Sequence, residues 1–527
     1  MKTINQLALG FNDAENYKKR ENKDLFNKIF VKNYFLENLL DSNKYFLIGE
    51  KGTGKTAYSV FLTNNYYKNN ICKLNYIRET DYKKFVTLKR NKHLELSDYT
   101  NIWQVIILLL LCKSITKDEL DHFAFSKNSK INAMHDAIDE YYIHAFSPEI
   151  LSVLNFVEDS RLAAEIITKH LKMKGEEAVS TSFSESRFQI NLMYIQKQFQ
   201  SAIEAIKIKD NHTLFIDGID IRPGSIPYEE YLECIKGLAN ASWNLNNDFF
   251  ANIKDSKGRF KVVLLLRPDI FNSIGLQNLT NKIRDNSVYL DWRTTYPDHR
   301  NSYLFELCDK LLSSQQDDDF AKGEVWDHYF PWKSTSTSSS RDYDPAFIRF
   351  LRLSYSRPRD IVTIIQILKE EQTGNDGDRS KFLEEKFDSY IFQNKYSEYL
   401  MGGIRDQLSF YYDESDYNAF LKFFNFLKGA NQFTYDEYLN AYHEFTDFII
   451  NNHNEIPKFV ESENDFLQFL YDSNILCFIE DIEGERFFHW CYRERSPSNI
   501  SPKVSPNAMY RIHYGLNKAL NVGNKKK

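Results

Sequence analysis

Short apolar runs alternate with long amphipathic stretches along the first 290 residues. The runs are Lys44–Ile48, Ile71–Ile77, His212–Ile216, Lys261–Leu266 and Ser287–Leu290. Each has the length and the apolar content of a strand, and helical periodicity separates one from the next. Strands that alternate with helices predict a parallel sheet covered on both faces, which is an α/β fold.

The stretch from about 100 to 210 contains few Gly or Pro residues and has helical periodicity. Because it lies between two predicted strands, it indicates a helical layer inserted into the α/β core. Its most apolar run, Val105–Cys112, is far shorter than the ~20 residues that span a bilayer, so a buried helix is predicted. The N-terminal residues lack the long apolar segment of a signal peptide. We therefore expect a cytoplasmic protein with no membrane partner.

Beyond Trp292 the predicted elements are mainly helices. The Ser- and Thr-rich segment Ser334–Ser340 predicts a flexible loop, and Pro345–Glu370 has helical periodicity around an Arg-Pro-Arg sequence. Gly-Asn-Asp-Gly at 374–377 predicts a turn and a domain boundary.

The last third of the chain has its own pattern. Apolar positions at helical spacing predict three helices, around Phe420–Leu427, Tyr435–Phe445 and Phe466–Leu470. Two strand-like runs, Ile475–Glu480 and Arg486–Trp490, follow and flank a turn. Three helices followed by a β-hairpin predict a winged helix. The predicted domains are an α/β core at 1–295, a helical lid at 296–378 and a winged-helix domain at 379–527.

The most specific motif is Gly-Glu-Lys-Gly-Thr-Gly-Lys-Thr, from Gly49 to Thr56, between the first predicted strand and a helix. It matches the GxxxxGK[ST] pattern of phosphate-binding loops, whose backbone N–H groups and following helix N-terminus hold a β-phosphate. Lys55 is expected to neutralise phosphate oxygens, and the Thr56 hydroxyl is expected to ligate Mg²⁺. The predicted cofactors are ATP and Mg²⁺. The predicted cofactor-binding residues are Gly49, Glu50, Lys51, Gly52, Thr53, Gly54, Lys55, Thr56, Ala57 and Arg359.

An acidic residue on a neighbouring strand is expected to complete the Mg²⁺ site. Asp217 ends the apolar run His212–Ile216 and is predicted to share the metal with Thr56. Hydrolytic ATPases usually carry a second acid directly after the first, but this chain has Gly218. Asp220 is therefore predicted to orient the attacking water, and a solvated turn residue is the alternative.

Several arginines near the ends of predicted elements are further candidates. Arg267 follows the fourth apolar run, at the strand end where open α/β sheets bind ligands, and is predicted to sense the γ-phosphate. Arg359 starts a helix after Pro358 and is predicted to reach the nucleotide from the lid, with Arg357 as its rival. Arg284 is either an arginine finger for a neighbouring subunit or an ordinary helix-end arginine.

Charge content disfavours nucleic acid as a partner, and cysteine content disfavours disulfides and a zinc site. The net charge of −6 over 527 residues provides no overall basic field for nucleic acid. Residues 379–527 carry 17 Lys and Arg against 22 Asp and Glu, a net charge of −5, although Arg486, Arg493 and Arg495 cluster near the predicted wing. Six scattered cysteines without a CxxC pair predict reduced, buried thiols rather than disulfides or a zinc site.

Together these motifs resemble the AAA+ and STAND classes of P-loop ATPases. The glycine-rich loop, Asp-Gly-Ile-Asp at 217–220, Leu-Leu-Arg-Pro at 265–268 and Ser-Arg-Pro-Arg-Asp at 356–360 occur in that order before the predicted winged helix. The second motif is similar to that of NACHT-type ATPases, the third to their sensor, and the fourth to the sensor-2 helix of origin-recognition ATPases. The loop and the N-terminal LGFNDAENY also resemble an uncharacterised bacterial branch of P-loop ATPases, and related branches include members of anti-phage defence loci.

The resemblance implies an ASCE-type core, a helical lid, a winged helix and assembly into rings or clusters. It implies phosphate binding by Lys55 and Thr56, metal binding by Asp217, water positioning by Asp220, and sensing by Arg267 and Arg359. Two features depart from the family pattern. Ile221 stands where NACHT-type sequences have a further acid, so slow hydrolysis is expected. No repeat sensor domain follows the winged helix, so the 100–210 insertion or a partner chain is expected to receive the trigger.

The predicted function is a nucleotide-driven switch that hydrolyses ATP, forms a homo-oligomer and controls a protein partner, with antiviral defence as the setting that the resemblance implies. A DNA-engaging ATPase that uses its winged helix is the alternative. A P-loop kinase would be a shorter chain with a small lid. An ABC-type ATPase would carry an LSGGQ-like signature, and a GTPase would carry NKxD, which Asn281-Lys282-Ile283-Arg284 breaks at its fourth position.

Overall fold

A computed structural model describes residues 1–77, 96–121, 126–132, 134–135, 185–224, 226–276, 278–332, 345–452 and 456–523. The chain divides into two compact units. The sheet unit comprises Tyr34–Gly49 and Lys55–Tyr289. The terminal unit comprises Met1–Asn33, Glu50–Gly54 and Leu290–Lys527. The predicted loop at 334–340 lies outside the described residues, and the predicted boundaries near 295 and 378 stay predictions.

Five parallel strands form the centre of the sheet unit. They are β1 (Phe46–Ile48), β2 (Asn70–Tyr76), β3 (Asn211–Asp217), β4 (Phe260–Leu266) and β5 (Ser287–Tyr289). Their order across the sheet is β2-β3-β4-β1-β5, and every neighbouring pair is parallel. The predicted parallel α/β sheet is therefore confirmed, and each strand overlaps its predicted apolar run.

Strand β4 lies between β1 and β3, an arrangement that chain order does not reveal. Leu264 of β4 pairs with Phe46 on one side and with Ile216 on the other. Because neighbouring strands are parallel, the carboxyl ends of β1, β4 and β3 lie side by side at one edge of the sheet. Open α/β sheets bind their ligands at this edge.

Helices make up most of the other regular structure in the described residues. In chain order they are α1 (Lys23–Ile29), α2 (Tyr34–Leu39), α3 (Lys55–Asn64), α4 (Leu96–Ser114), α5 (Glu185–Glu204), α6 (Tyr228–Asn244), α7 (Pro268–Ser273), α8 (Leu279–Asn286), α9 (Tyr303–Ser313), α10 (Glu324–Tyr329), α11 (Ala346–Leu353), α12 (Pro358–Glu371), α13 (Glu384–Phe387), α14 (Tyr390–Leu408), α15 (Glu414–Phe426), α16 (Tyr435–Asn451), α17 (Glu463–Asp472) and α18 (Cys491–Glu494). The Arg-Pro-Arg sequence precedes and starts α12, with Pro358 in the first turn, where its missing N–H leaves no bond unmade.

Helix α4 packs closely against α6 in the sheet unit. The Trp103 indole donates a hydrogen bond to the carbonyl of Cys234 over 3.2 Å. A Cβ at Gly237 would lie only 2.5 Å from the Cβ of Tyr99, so glycine permits this approach. The run Val105–Cys112 lies within α4 and is buried except for a half-exposed Leu110, which confirms the buried helix. No helix among the described residues has the length and apolar character needed to cross a membrane.

The C-terminal part of the terminal unit contains the predicted helices and hairpin. Helices α15, α16 and α17 precede the antiparallel strands β7 (Leu476–Ile482) and β8 (Glu485–Trp490). Two further strands, β6 (Gln432–Thr434) and β9 (Met509–Ile512), complete a sheet of order β6-β9-β7-β8. The sequence does not predict these two strands, because three or four residues are too few to show an alternating pattern. All six cysteines of the chain are buried and unbridged, as predicted.

Candidate functional site

The glycine-rich segment from Gly49 to Thr56 joins the end of β1 to the start of α3. Gly52 has φ of +90° and Gly54 has φ of +93°, a region that side chains strongly disfavour. The N–H of Thr53 donates to the carbonyl of Glu50 over 3.2 Å and closes a turn. The backbone therefore requires glycine at two positions of this motif.

Lys55 occupies the first position of α3 and is only 8% exposed. Its ammonium donates a hydrogen bond to the carbonyl of Gly49 over 2.7 Å. A cation in the first turn of a helix lies at the positive end of the helix dipole, which is unfavourable by itself. An anion bound at this turn would compensate both charges, as the predicted phosphate would.

Thr56 and Asp217 are brought together at the carboxyl edge of the sheet. The Thr56 hydroxyl donates to Asp217 Oδ2 over 2.6 Å, and the N–H of Gly218 donates to Oδ1 over 2.8 Å. Asp217 is 7% exposed, and burial raises the pKa of its carboxyl group, with a further increase from the Asp220 carboxylate. A divalent cation would offset the cost of this buried negative charge.

The Thr56–Asp217 pair has the chemistry that Mg²⁺ requires. Mg²⁺ prefers oxygen ligands, and it is usually held by one or two carboxylates together with water and substrate phosphates. Among the described residues, no group of three or more His, Cys, Asp and Glu side chains has a metal-binding arrangement. A site that depends on one carboxylate, one hydroxyl and phosphate oxygens does not need such a group.

The residue after Asp217 must be glycine for a steric reason. Gly218 has φ of +84°, and a Cβ there would lie 2.6 Å from the carbonyl oxygen of Ile77. A second acid directly after Asp217 is therefore excluded.

Asp220 is half-buried in the following turn. The Tyr231 hydroxyl holds this turn, because its single hydrogen lies within reach of the carbonyls of Ile219 and Ile221, at O–O distances of 2.7 and 3.1 Å.

Arg267 lies at the carboxyl end of β4, as predicted, but its guanidinium is paired. It is 2% exposed and donates to Asp269 from Nε over 3.1 Å and from Nη2 over 2.6 Å. Its role in sensing a γ-phosphate stays a prediction. Arg284 lies exposed in the last turn of α8, where cations are favourable, and both its predicted roles, arginine finger and ordinary helix-end residue, stay predictions.

Neither the family-model scan nor the search of curated proteins finds a match for this sequence. The resemblance to AAA+ and STAND ATPases therefore rests on the motifs named above.

The tip of the glycine-rich loop, Glu50–Gly54, belongs to the terminal unit. Arg495 forms an ion pair with Glu50, and their side chains are only 6% and 14% exposed. Lys51 forms a more exposed ion pair with Asp406 of α14.

Two backbone carbonyls of the same tip also accept hydrogen bonds. The N–H of Arg359 donates to the carbonyl of Gly52 over 3.2 Å. The Trp292 indole donates to the carbonyl of Thr53 over 2.9 Å.

The two arginines that start α12 have different environments. Arg357 donates to both carboxylate oxygens of the buried Asp360, over 3.0 and 3.2 Å. Arg359 contacts the loop through its backbone, while its Nε donates to the carbonyl of Asn12 over 3.0 Å. Arg359 therefore contacts the loop through its backbone N–H, and nucleotide contact by its guanidinium stays a prediction.

Sequence reasoning missed the residues that bind the loop tip from later in the chain. The sequence places Arg495 in a basic patch near the predicted wing, and no local pattern marks Trp292 or Asp406. The Glu50–Arg495 pair spans 445 positions. No spacing rule or local periodicity connects residues so far apart, so only the folded chain identifies these partners.

Proposed function

We propose that this chain is an ATP- and Mg²⁺-binding P-loop ATPase of the AAA+ or STAND type that works as a molecular switch. The observation that carries the proposal is the 2.6 Å hydrogen bond between Thr56 and Asp217. It pairs the hydroxyl that ends the GxxxxGK[ST] motif with a buried carboxylate at the end of another strand of the same sheet. P-loop ATPases hold Mg²⁺ with these two groups.

Strand order supports the same assignment. One strand, β4, separates the loop-bearing β1 from the acid-bearing β3. This is the arrangement expected of the ASCE-type core that the resemblance implies. Lys55, at the positive end of α3, supplies a buried cation for the phosphate oxygens.

Each residue then has a defined task. Lys55 neutralises charge on the phosphates, Thr56 and Asp217 hold Mg²⁺, and Asp220 orients the water that attacks the γ-phosphoryl group. The Mg²⁺ ion, when bound, neutralises charge that develops on the phosphate oxygens. We expect slow turnover, because Gly218 replaces the usual second acid. Slow turnover suits a switch whose nucleotide state controls a protein partner.

The C-terminal helices α15–α17 and their antiparallel sheet support a winged-helix assignment, but charge does not favour DNA as its ligand. Arg495 pairs with Glu50, and Arg486 lies 3.8 Å from Asp481. Glu483 lies in the β7–β8 turn, and Glu485 begins β8. A DNA-binding wing needs an uncompensated basic surface. Control of a protein partner is therefore the better-supported output.

Calorimetry tests the nucleotide function directly. Wild-type protein is titrated with ATP, ADP and GTP in the presence and absence of Mg²⁺. We expect Mg²⁺-dependent ATP binding that Lys55→Ala abolishes. Lys68→Ala removes an exposed lysine of the same unit, 56% exposed and paired with Glu37, and should leave binding unchanged. Folded wild-type protein that takes up no ATP with Mg²⁺ would exclude the proposed function.

A further inference from the structure

Four consecutive residues of the glycine-rich loop are bound by four separate segments of the terminal unit. The pairs are Glu50 with Arg495, Lys51 with Asp406, the Gly52 carbonyl with the Arg359 N–H, and the Thr53 carbonyl with the Trp292 indole. The partners lie 239 to 445 positions away along the chain. The loop tip is therefore held by residues from the C-terminal half of the protein rather than by its own neighbours alone.

The Glu50–Arg495 pair is the more buried of the two ion pairs at the loop tip. Arg495 is also fixed by the carbonyls of Ile500 and Asp472, over 3.1 and 3.4 Å. Losing the Glu50 charge leaves Arg495 with the Asp472 carboxylate at 3.9 Å, a longer and more exposed ion pair, so the change is costly. The Lys51–Asp406 pair is 31% and 62% exposed, and exposed pairs contribute little.

The two carbonyl contacts constrain the backbone itself. Because a trans peptide directs its C=O and N–H in opposite senses, the Trp292 bond to the Thr53 carbonyl also sets the direction of the Gly54 N–H. A Cβ on Gly52 would lie 3.2 Å from the Cβ of Arg359, so the start of α12 packs directly on the loop. The N–H groups of such loops are the groups that contact phosphate.

We propose that Arg495 is a positioning residue for the nucleotide site, and that its ion pair with Glu50 couples nucleotide release to the conformation of the C-terminal half of the chain. The proposal rests on the nucleotide function proposed above. With Arg495 in place, the Glu50 carboxylate is neutralised and the loop tip is fixed. Without it, the Glu50 carboxylate loses its ion pair with Arg495, and the loop tip loses the more buried of its two ion-pair anchors.

A double-mutant cycle on the full-length chain tests this coupling. Release of fluorescent ATP and ADP analogues is followed by stopped flow in wild type, Arg495→Gln, Glu50→Gln and the double variant. Arg405→Gln is the matched control, because it removes an arginine of the same unit whose pair with Glu414 is 55% and 73% exposed. The melting temperature of each nucleotide-free variant shows whether it folds.

We expect Arg495→Gln and Glu50→Gln each to accelerate nucleotide release by about tenfold or more, with no further acceleration in the double variant. Arg405→Gln should release nucleotide at the wild-type rate. Additive effects, or rates equal to those of Arg405→Gln, would overturn the proposal while leaving the nucleotide function intact. Should Arg495→Gln fail to fold, the rate of nucleotide release from Glu50→Gln tests the proposal, because this substitution keeps the size of the side chain and removes only the charge. If wild type binds no nucleotide, the proposed function fails instead.

Discussion

The Thr56 hydroxyl meets the Asp217 carboxylate over 2.6 Å, although 161 positions separate the two residues. The bond joins the first turn of α3 to the end of β3, and β4 lies between β3 and the strand that leads into α3. Asp217 is buried, and burial raises the pKa of its carboxyl group. A divalent cation bound to this pair would neutralise the buried Asp217 carboxylate and offset the cost of its burial. The two residues can be tested separately.

At Thr56, two substitutions distinguish the contribution of the hydroxyl to metal binding from that of the methyl group. Thr56→Ala should weaken Mg²⁺-dependent ATP binding by roughly tenfold, the effect of about 1.4 kcal/mol from one lost ligand interaction. Thr56→Ser keeps the hydroxyl and should bind like wild type. Titrations with Mg²⁺ and with EDTA measure the difference. Equal affinities of the two variants for ATP with Mg²⁺ would remove Thr56 from the metal site.

At Asp217, a neutral residue of the same shape separates charge from packing. Asp217→Asn should lower the rate of phosphate release by about 100-fold, because charge stabilisation at the reacting phosphate is lost. Its melting temperature should not fall, since burying an amide costs less than burying a carboxylate. A wild-type rate of release in this variant would argue against Asp217 as a metal ligand.

Asp220 is expected to act on the chemical step rather than on binding. Asp220→Asn should keep ATP affinity within about twofold of wild type while turnover falls about tenfold or more, so the ATP-bound state accumulates. Single-turnover hydrolysis and ATP titration together measure this separation. Unchanged turnover would assign Asp220 to the solvated-turn alternative.

A substitution at Gly237 tests the close contact between α4 and α6. Gly237→Ala should lower the free energy of unfolding by about 1–3 kcal/mol, because the new methyl group would overlap Tyr99. Gly402 in α14 is the matched control, since a Cβ there has no atom within 4 Å. Gly402→Ala should instead stabilise by about 0.5–1 kcal/mol through helix propensity. Urea unfolding compares the two variants, and equal effects would contradict the close approach of the helices.

His513 should make stability depend on pH. Burial lowers the pKa of its imidazole from 6.5 to about 3. The unfolded chain then binds more protons than the folded chain between these values, so this contribution is fully present above pH 6.5 and is lost as the pH falls toward 3. At about 1.4 kcal/mol per pH unit, the loss between pH 6.5 and pH 5 is about 2 kcal/mol.

Urea unfolding at pH 7.5 and pH 5 measures this dependence. His513→Gln should show a smaller decrease in stability between the two pH values than wild type. His443→Gln, which removes an exposed histidine of α16, should keep the wild-type decrease. A wild-type decrease in the His513 variant would show that other groups cause the effect.

Local sequence pattern predicted much of the sheet unit. Each of the five strand-like runs between 44 and 290 overlaps a strand of the parallel sheet, and the apolar run Val105–Cys112 lies in a buried helix. The pattern did not predict β6 and β9, because their pairing partners lie far away in the chain and their few residues carry no periodicity. The sequence also could not predict the steric requirement for glycine at position 218, because it depends on the position of the Ile77 backbone.

By itself the sequence determined the longer elements and one chemical motif: strand periodicity, helix periodicity and the glycine spacing of Gly49–Thr56 are local properties of the chain. Only the tertiary structure decided that β4 separates β1 from β3, that Thr56 meets Asp217, and that Arg495 binds Glu50. These relationships depend on strand order and on burial. Both arise from the packing of distant segments, which no short stretch of sequence encodes.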